Sequence, residues 1–147
     1  MTGGAMKHIE HKFSHAAIFV SNMERSIDFY ERALGWVQSF SVNMDSSLGV
    51  ANRVGGPGRI CRGELAGVPL QLVEMEKPLA RKEDPIHYGI FMFSLIFSDL
   101  EPVRAHLKAE GFTISREQQL PGSLVLTLTD PDGQEIALIQ APPAPPK

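Results

Sequence analysis

Cysteine is almost missing from this chain. Among 147 residues only Cys61 carries a thiol, so a disulfide framework and a cysteine-based zinc site are both excluded, and a reducing, intracellular setting is expected. Basic residues are not in surplus either. Fourteen Lys and Arg stand against seventeen Asp and Glu, for a net charge of −3. That balance argues against a nucleic-acid partner, which needs a basic surface, but leaves a cationic small ligand open. No apolar run approaches the roughly 18 residues that span a bilayer. The opening MTGGAMKHIEHK lacks the apolar centre of a secretory leader. The expectation is a cytoplasmic protein with neither membrane nor nucleic-acid partner. Hydrophobic content of 43% and charged content of 21% are ordinary for a globule. The length suits one domain, or two small modules sharing a core.

What the chain has is a repeat. Residues His15 to Gly35, HAAIFVSNMERSIDFYERALG, read as a strand, a capped helix and a glycine stop. Residues Met92 to Gly111, MFSLIFSDLEPVRAHLKAEG, read the same way. Similar phrases close each copy, LQLVE at Leu70–Glu74 and ALIQ at Ala137–Gln140. A repeat constrains architecture before any single motif. The expected fold is α+β, with two βαβββ modules.

The first module, residues 13–75, follows a loose N-terminus at 1–12. Its strands are expected near Ser14–Val20, Trp36–Val42, Gly58–Leu65 and Pro69–Met75. Asn22 is the expected cap of a helix with Ile27, Tyr30 and Leu34 on one stripe, and Gly35 its left-handed stop. The polar, glycine-rich stretch Asn43–Pro57 has the length of a binding loop. Charged residues and prolines mark 76–87 as a linker. The second module, 88–140, opens on an apolar strand, Tyr88–Phe97. Asp99 should cap its helix, with Leu100, Val103 and Leu107 on one stripe, Pro102 in the first turn and Gly111 at the end. Strands near Phe112–Arg116, Ser123–Thr129 and Gln134–Gln140 follow, the last two joined by the turn DPDG at Asp130–Gly133. Residues 141–147 form a proline-rich tail.

Alternation sorts the strand residues into two faces. Ala16, Ile18 and Val20, Phe93, Leu95 and Phe97, Leu70 and Leu72, and Ile136 and Leu138 make uniformly apolar sets suited to lie under helices. The opposite faces are mixed: His15, Ala17 and Phe19; Gln71 and Val73; Met92, Ser94 and Ile96; Glu135, Ala137 and Ile139. A mixed, curved face is where a ligand pocket would lie.

HAAIFVSNMERSIDFYERALGW resembles the opening module of the vicinal-oxygen-chelate superfamily, and LTDPDGQEIALIQ resembles its closing hairpin. That superfamily includes glyoxalase I, bleomycin- and fosfomycin-resistance proteins, extradiol dioxygenases and methylmalonyl-CoA epimerase. The resemblance runs from about Phe13 to Gln140. It implies two modules whose mixed sheets form a cup with helices on the outer face, often within a homodimer. It also implies a divalent ion held from the first and last strands of each module. Those positions fall here on His15, Gln71, Met92 and Ala137. His15 is a good ligand type and Gln71 a neutral oxygen donor, but Met92 offers a thioether and Ala137 nothing. A hard or borderline divalent ion wants nitrogen and carboxylate donors, so no metal cofactor is expected, or at most a weakly bound ion on His15, Gln71 and Glu135. Glu135 shares the parity of Ala137 but lies roughly 7 Å further along the strand.

Two functions compete. In the first, the cup binds a small organic molecule without turnover, using Phe19, Gln71, Val73, Met92, Ser94, Ile96, Ala137 and Ile139. In the second, the chain is a lyase, isomerase, epimerase or dioxygenase acting on a substrate with vicinal oxygens. His15 and Glu135 are then the catalytic candidates, while Gln71 and Ser94 hydrogen-bond an oxyanion. Arg53, Arg59 and Arg62, in or beside the long loop, suit either an anionic ligand or a solvated rim. His87, five residues before Met92, has the wrong parity for the cup and reads as a loop histidine. His8 and His11 read as solvated, and His106 as a helix residue facing water.

Overall fold

The computed structural model describes residues 4–47, 54–81, 83–84 and 86–140. In chain order the elements are α1 (Gly4–Lys7), β1 (Ala16–Phe19), α2 (Met23–Leu34), β2 (Val37–Met44), β3 (Gly58–Leu65), β4 (Val68–Met75), β5 (Met92–Phe97), α3 (Glu101–Ala109), β6 (Arg116–Leu120), β7 (Ser123–Thr129) and β8 (Glu135–Gln140). They form two four-stranded sheets of the same topology, ordered β1-β4-β3-β2 and β5-β8-β7-β6. In each, the first strand pairs parallel with the last and the other neighbours are antiparallel. The α+β fold with its repeated βαβββ modules is therefore present as the repeat implied.

The repeated closing phrases have a shared structural job. The Glu74 carboxylate accepts the Met23 amide at the start of α2 at 2.6 Å. Gln140 does the same for the Leu100 amide at 2.8 Å. Each module's last strand thus satisfies an orphan donor of its own helix. Asn22 adds the expected cap bond, accepting from the Arg25 amide at 3.0 Å. Glu74→Ala and Gln140→Ala should each lower unfolding free energy by about 1 kcal/mol, the usual cost of a lost cap, measured by urea denaturation.

Several boundaries differ from the sequence reading. Asp99 accepts the Glu101 amide at 3.0 Å, but Leu100 occupies the cap position. Pro102 has no N–H to offer a cap at Asp99, so the helix proper begins one residue later. The strand expected at Phe112–Arg116 starts only at Arg116. The Phe112 amide donates to Leu107 at 2.9 Å, and Phe112 and Ile114 pack on the core, so this stretch folds back along α3 before joining the ladder. The strand expected from Tyr88 begins at Met92 because its partner β8 begins at Glu135, opposite Met92. Ile86, Tyr88 and Ile90 lie exposed ahead of it.

One apolar cluster runs through both modules, joining Val20, Phe29, Tyr30, Trp36, Leu70 and Leu72 to Leu100, Leu107, Leu126, Ile136 and Leu138. Phe29 meets Phe112 edge-on at 5.6 Å and Tyr30 stacks on Phe93 at 6.5 Å, so α2 packs against the second module as well as its own sheet. The strand faces under the helices are the apolar sets that alternation picked out. Among the described residues, α2 and α3 both pack on that side, which leaves the other face of each sheet without either helix.

Candidate functional site

Among the described residues β1 and β5 are edge strands, bonded to β4 and β8 respectively. Between them, and roofed by the segment after β4, lies a cleft of about 1820 Å³. Its apolar wall includes Phe13, Phe19, Met92, Phe93 and Ile96, and its polar groups include Ser94, His87 and Glu135. Phe19 is 53% exposed and Ile96 73% exposed, so large apolar side chains stand open toward the space. Glu135 is half-buried and sits in register beside Met92 on the same face. Its carboxylate has no hydrogen bond or ion pair among the described residues. The acidic groups Glu74, Glu76, Glu83, Asp84, Asp132 and Glu135 outnumber Lys77 and Arg81 along the walls.

The structure brings together Phe19, Met92, Ser94, Ile96 and Glu135, and keeps other candidates apart from that cleft. Val73 is 6% and Ala137 3% exposed, packed into their sheets. Ile139 and Gln71 are half-buried on the bare faces. Gln71 stands between Ala17 on β1 and Arg62 on β3. His15 is exposed, one residue ahead of β1, with Nδ1 2.9 Å from the Ser14 hydroxyl. His87 lines the cleft although parity counted back from Met92 placed it on the other face. The strand stops at Met92, so alternation does not extend to residue 87. His106 is exposed, but its Nε2 lies 2.6 Å from the Arg32 carbonyl, joining the two helices. Arg53 and residues 48–52 of the long loop lie outside the described residues.

A polar network absent from the sequence reading ties the modules beside the cleft. Asp132, in the β7–β8 turn, accepts the Ser21 amide at 2.9 Å and the Ser21 hydroxyl. Arg81 lies 3.2 Å and Arg25 3.6 Å from the same carboxylate. Burial alone would raise the Asp132 pKa, but the Ser21 bonds and the two guanidiniums hold it below the usual value. Asp130 is buried and accepts from the Tyr30 hydroxyl and the amides of Asp132 and Gln134, each at 2.8 Å. Burial raises its pKa against those donors. The Tyr30 hydroxyl is pushed up by its own burial and by the Asp130 charge. DPDG marks the turn in sequence, but nothing local ties it to Ser21 or Tyr30, about a hundred residues away.

The donors on hand do not suit a divalent ion. Of the implied set His15, Gln71, Met92 and Ala137, only an exposed imidazole and a neutral amide are nitrogen or oxygen donors. Among the described residues no three His, Cys, Asp or Glu side chains are grouped to hold one.

A family model for the glyoxalase/bleomycin resistance protein/dioxygenase superfamily matches residues 12–138. The chain belongs to that superfamily. Solved structures share its fold. A glyoxalase family protein from Bacillus cereus aligns with a TM-score of 0.73 at 17% identity, over 90% of this chain and 95% of its own. A glyoxylase/bleomycin resistance protein/dioxygenase domain from Frankia aligns at 0.70 and 19%, over 89% and 92%. A variant of the fosfomycin resistance protein FosX from Listeria monocytogenes, solved with Mn(II) and 1S,2S-dihydroxypropylphosphonic acid, aligns at 0.63 and 14%, over 90% and 94%. At such identities the likeness concerns the fold. Among the described residues, no helix is long and apolar enough to cross a membrane.

Proposed function

We propose that this chain binds a small organic molecule with an apolar body in the cleft between its modules, without a divalent ion. The lining of the cleft carries this reading: exposed Phe19 and Ile96 face an open space that also holds Ser94 and Glu135. Apolar walls with a few polar anchors suit an organic ligand, and Met92 adapts to irregular shapes. The donor set around His15 supports the metal-free part. A fragment panel screened by ligand-observed NMR, with and without EDTA, tests it. Binders should survive chelation, and Phe19→Ala with Ile96→Ala should weaken them about tenfold, a loss of about 1.4 kcal/mol. Loss of all binding in EDTA, restored by Mn(II) or Zn(II), would overturn the metal-free reading.

Glu135 favours a second reading, a lyase, isomerase, epimerase or dioxygenase acting on vicinal oxygens. A half-buried carboxylate at the cleft wall, with no partner among the described residues, suits proton transfer. Ser94 offers a hydrogen bond to a developing oxyanion. His15, exposed and off the cleft walls, is the weaker base. Once a substrate is in hand, Glu135→Gln should cut turnover by about a hundredfold or more while leaving binding intact. Unchanged turnover would remove the carboxylate from the mechanism.

The same reading takes the protein as a cytoplasmic homodimer without nucleic-acid or membrane partners. The net charge of −3 and the bare sheet faces support it. Sedimentation velocity that returns a 16 kDa monomer at high concentration would exclude the dimer.

A further inference from the structure

Arg59 and Arg62 lie three residues apart on β3, and the ladder turns them to opposite faces. Arg59 points to the helix side, where it meets Glu24 and Ser41. Arg62 lies on the bare face, in one cross-strand row with Phe40, Gln71 and Ala17. It is half-buried, and its guanidinium has no ion pair or side-chain hydrogen bond among the described residues. The facing amide of Gln71 has none either. Glu64 shares the strand face but is exposed and forms no ion pair with Arg62. The adjoining row is apolar: Phe19, Val73, Ile60 and Val42. The equivalent row of the second module carries Ser94, Ala137, Thr127 and Arg116, so Thr127 stands where the first module has Arg62 and the second module's cation lies one strand further out.

We propose that Arg62 anchors the oxyanionic head of the ligand, a carboxylate or phosphonate, with Gln71 beside it and the ligand's apolar body along Ile60 and Phe19 toward the cleft. This deepens the proposed function and rests on the cup holding an organic ligand. With no acceptor among the described residues, the guanidinium is free to take one from a ligand, and its planar fork matches a carboxylate or phosphonate in two parallel bonds. Directly opposite residues on antiparallel strands stand roughly 5 Å apart at Cβ, so one head group can reach both Arg62 and Gln71. Ala17 and Phe19 lie both on this face and on the cleft wall, which makes the Arg62 row continuous with the cleft.

The test uses the full chain and three probes of like shape: phenylacetate, benzylphosphonate and phenylacetamide. Titrations followed by amide chemical shifts should show both acids binding at least tenfold more tightly than the amide, with shifts at residues 60–64 and 71–73. Arg62→Gln should abolish the acid preference. Arg62→Lys should keep part of it, since charge remains but the fork does not. Arg59→Gln should leave it unchanged. Should Arg62→Gln misfold, wild type against Arg62→Lys decides. Equal binding of acids and amide in the cup, or an acid preference that survives Arg62→Gln, overturns this proposal and leaves the proposed function standing. Failure of all three probes to bind the wild type overturns the anion anchor. The broader fragment panel then decides the proposed function separately.

Discussion

Gly63→Ala should lower unfolding free energy by about 3 kcal/mol, the upper part of the range for overpacking, or prevent folding. A Cβ on Gly63 would sit 2.4 Å from Cε2 and 2.5 Å from Cζ2 of Trp36, and 2.5 Å from the Val37 carbonyl oxygen. Neither neighbour can withdraw easily. Trp36 is 2% exposed, and its Nε1–H donates to the Leu70 carbonyl at 3.1 Å, which pins the ring beneath β3 and β4. Val37 is held in the β2–β3 ladder opposite Glu64. Urea denaturation followed by the fluorescence of Trp36, the chain's single tryptophan, reads the effect at the place of the clash. Glu64→Ala, exposed on the next residue, is the control and should stay within about 0.5 kcal/mol. A Gly63→Ala protein as stable as wild type would mean that β2 and β3 do not pack on Trp36 as described.

Tyr30→Phe should cost about 2 kcal/mol at neutral pH, the range for a hydrogen bond to a charged group. The cost should shrink toward about 1 kcal/mol, the neutral–neutral value, as Asp130 is protonated. The folded-state pKa of Asp130 is raised above its ordinary value, first by burial. A raised carboxyl pKa means the folded protein binds that proton more tightly than the unfolded chain. Its contribution is therefore fully present below the unfolded value of about 3.9 and is lost as pH rises through the folded value. Above it the protein carries a buried charge, offset by the Tyr30 hydroxyl and two backbone amides. Taking the hydroxyl away raises the Asp130 pKa further and hurts most where the charge exists. Asp132 runs the other way. Its pKa is lowered, so its contribution is present above the unfolded value and fades only as pH falls through the folded one. Denaturation curves for wild type and Tyr30→Phe at several pH values from neutral to about 4 measure the difference. A cost that stays near about 1 kcal/mol at every pH would show that Asp130 is not ionised in the folded protein at neutral pH.

The residues that alternation and capping could place are those whose partners lie nearby or on one regular element. Asn22, Gly35 and the apolar stripes of β1, β4, β5 and β8 are of that kind. A strand's parity holds only while the strand lasts, which is why His87 came out on the wrong side. The two arginines of β3 looked alike beside a long loop, and only the ladder sends Arg59 to Glu24 and Arg62 to the bare face. The capping roles of Glu74 and Gln140 are carried by repeated phrases, but a phrase does not name the amide it will meet.

By itself, the order of amino acids determined that this protein has two like halves and which side of β1, β4, β5 and β8 goes under a helix. These follow from short-range rules: a period of two, a period of 3.6, and glycine where the backbone turns left-handed. The family shows separately, as a likeness that runs along residues 12–138. Tertiary structure decided that a cleft opens between β1 and β5, that Asp130 and Asp132 join the halves through Tyr30 and Ser21, and that Arg62 stands beside Gln71 with no ion pair among the described residues. Each depends on residues roughly ten to over a hundred positions apart, whose meeting is set by packing the whole chain around one shared core.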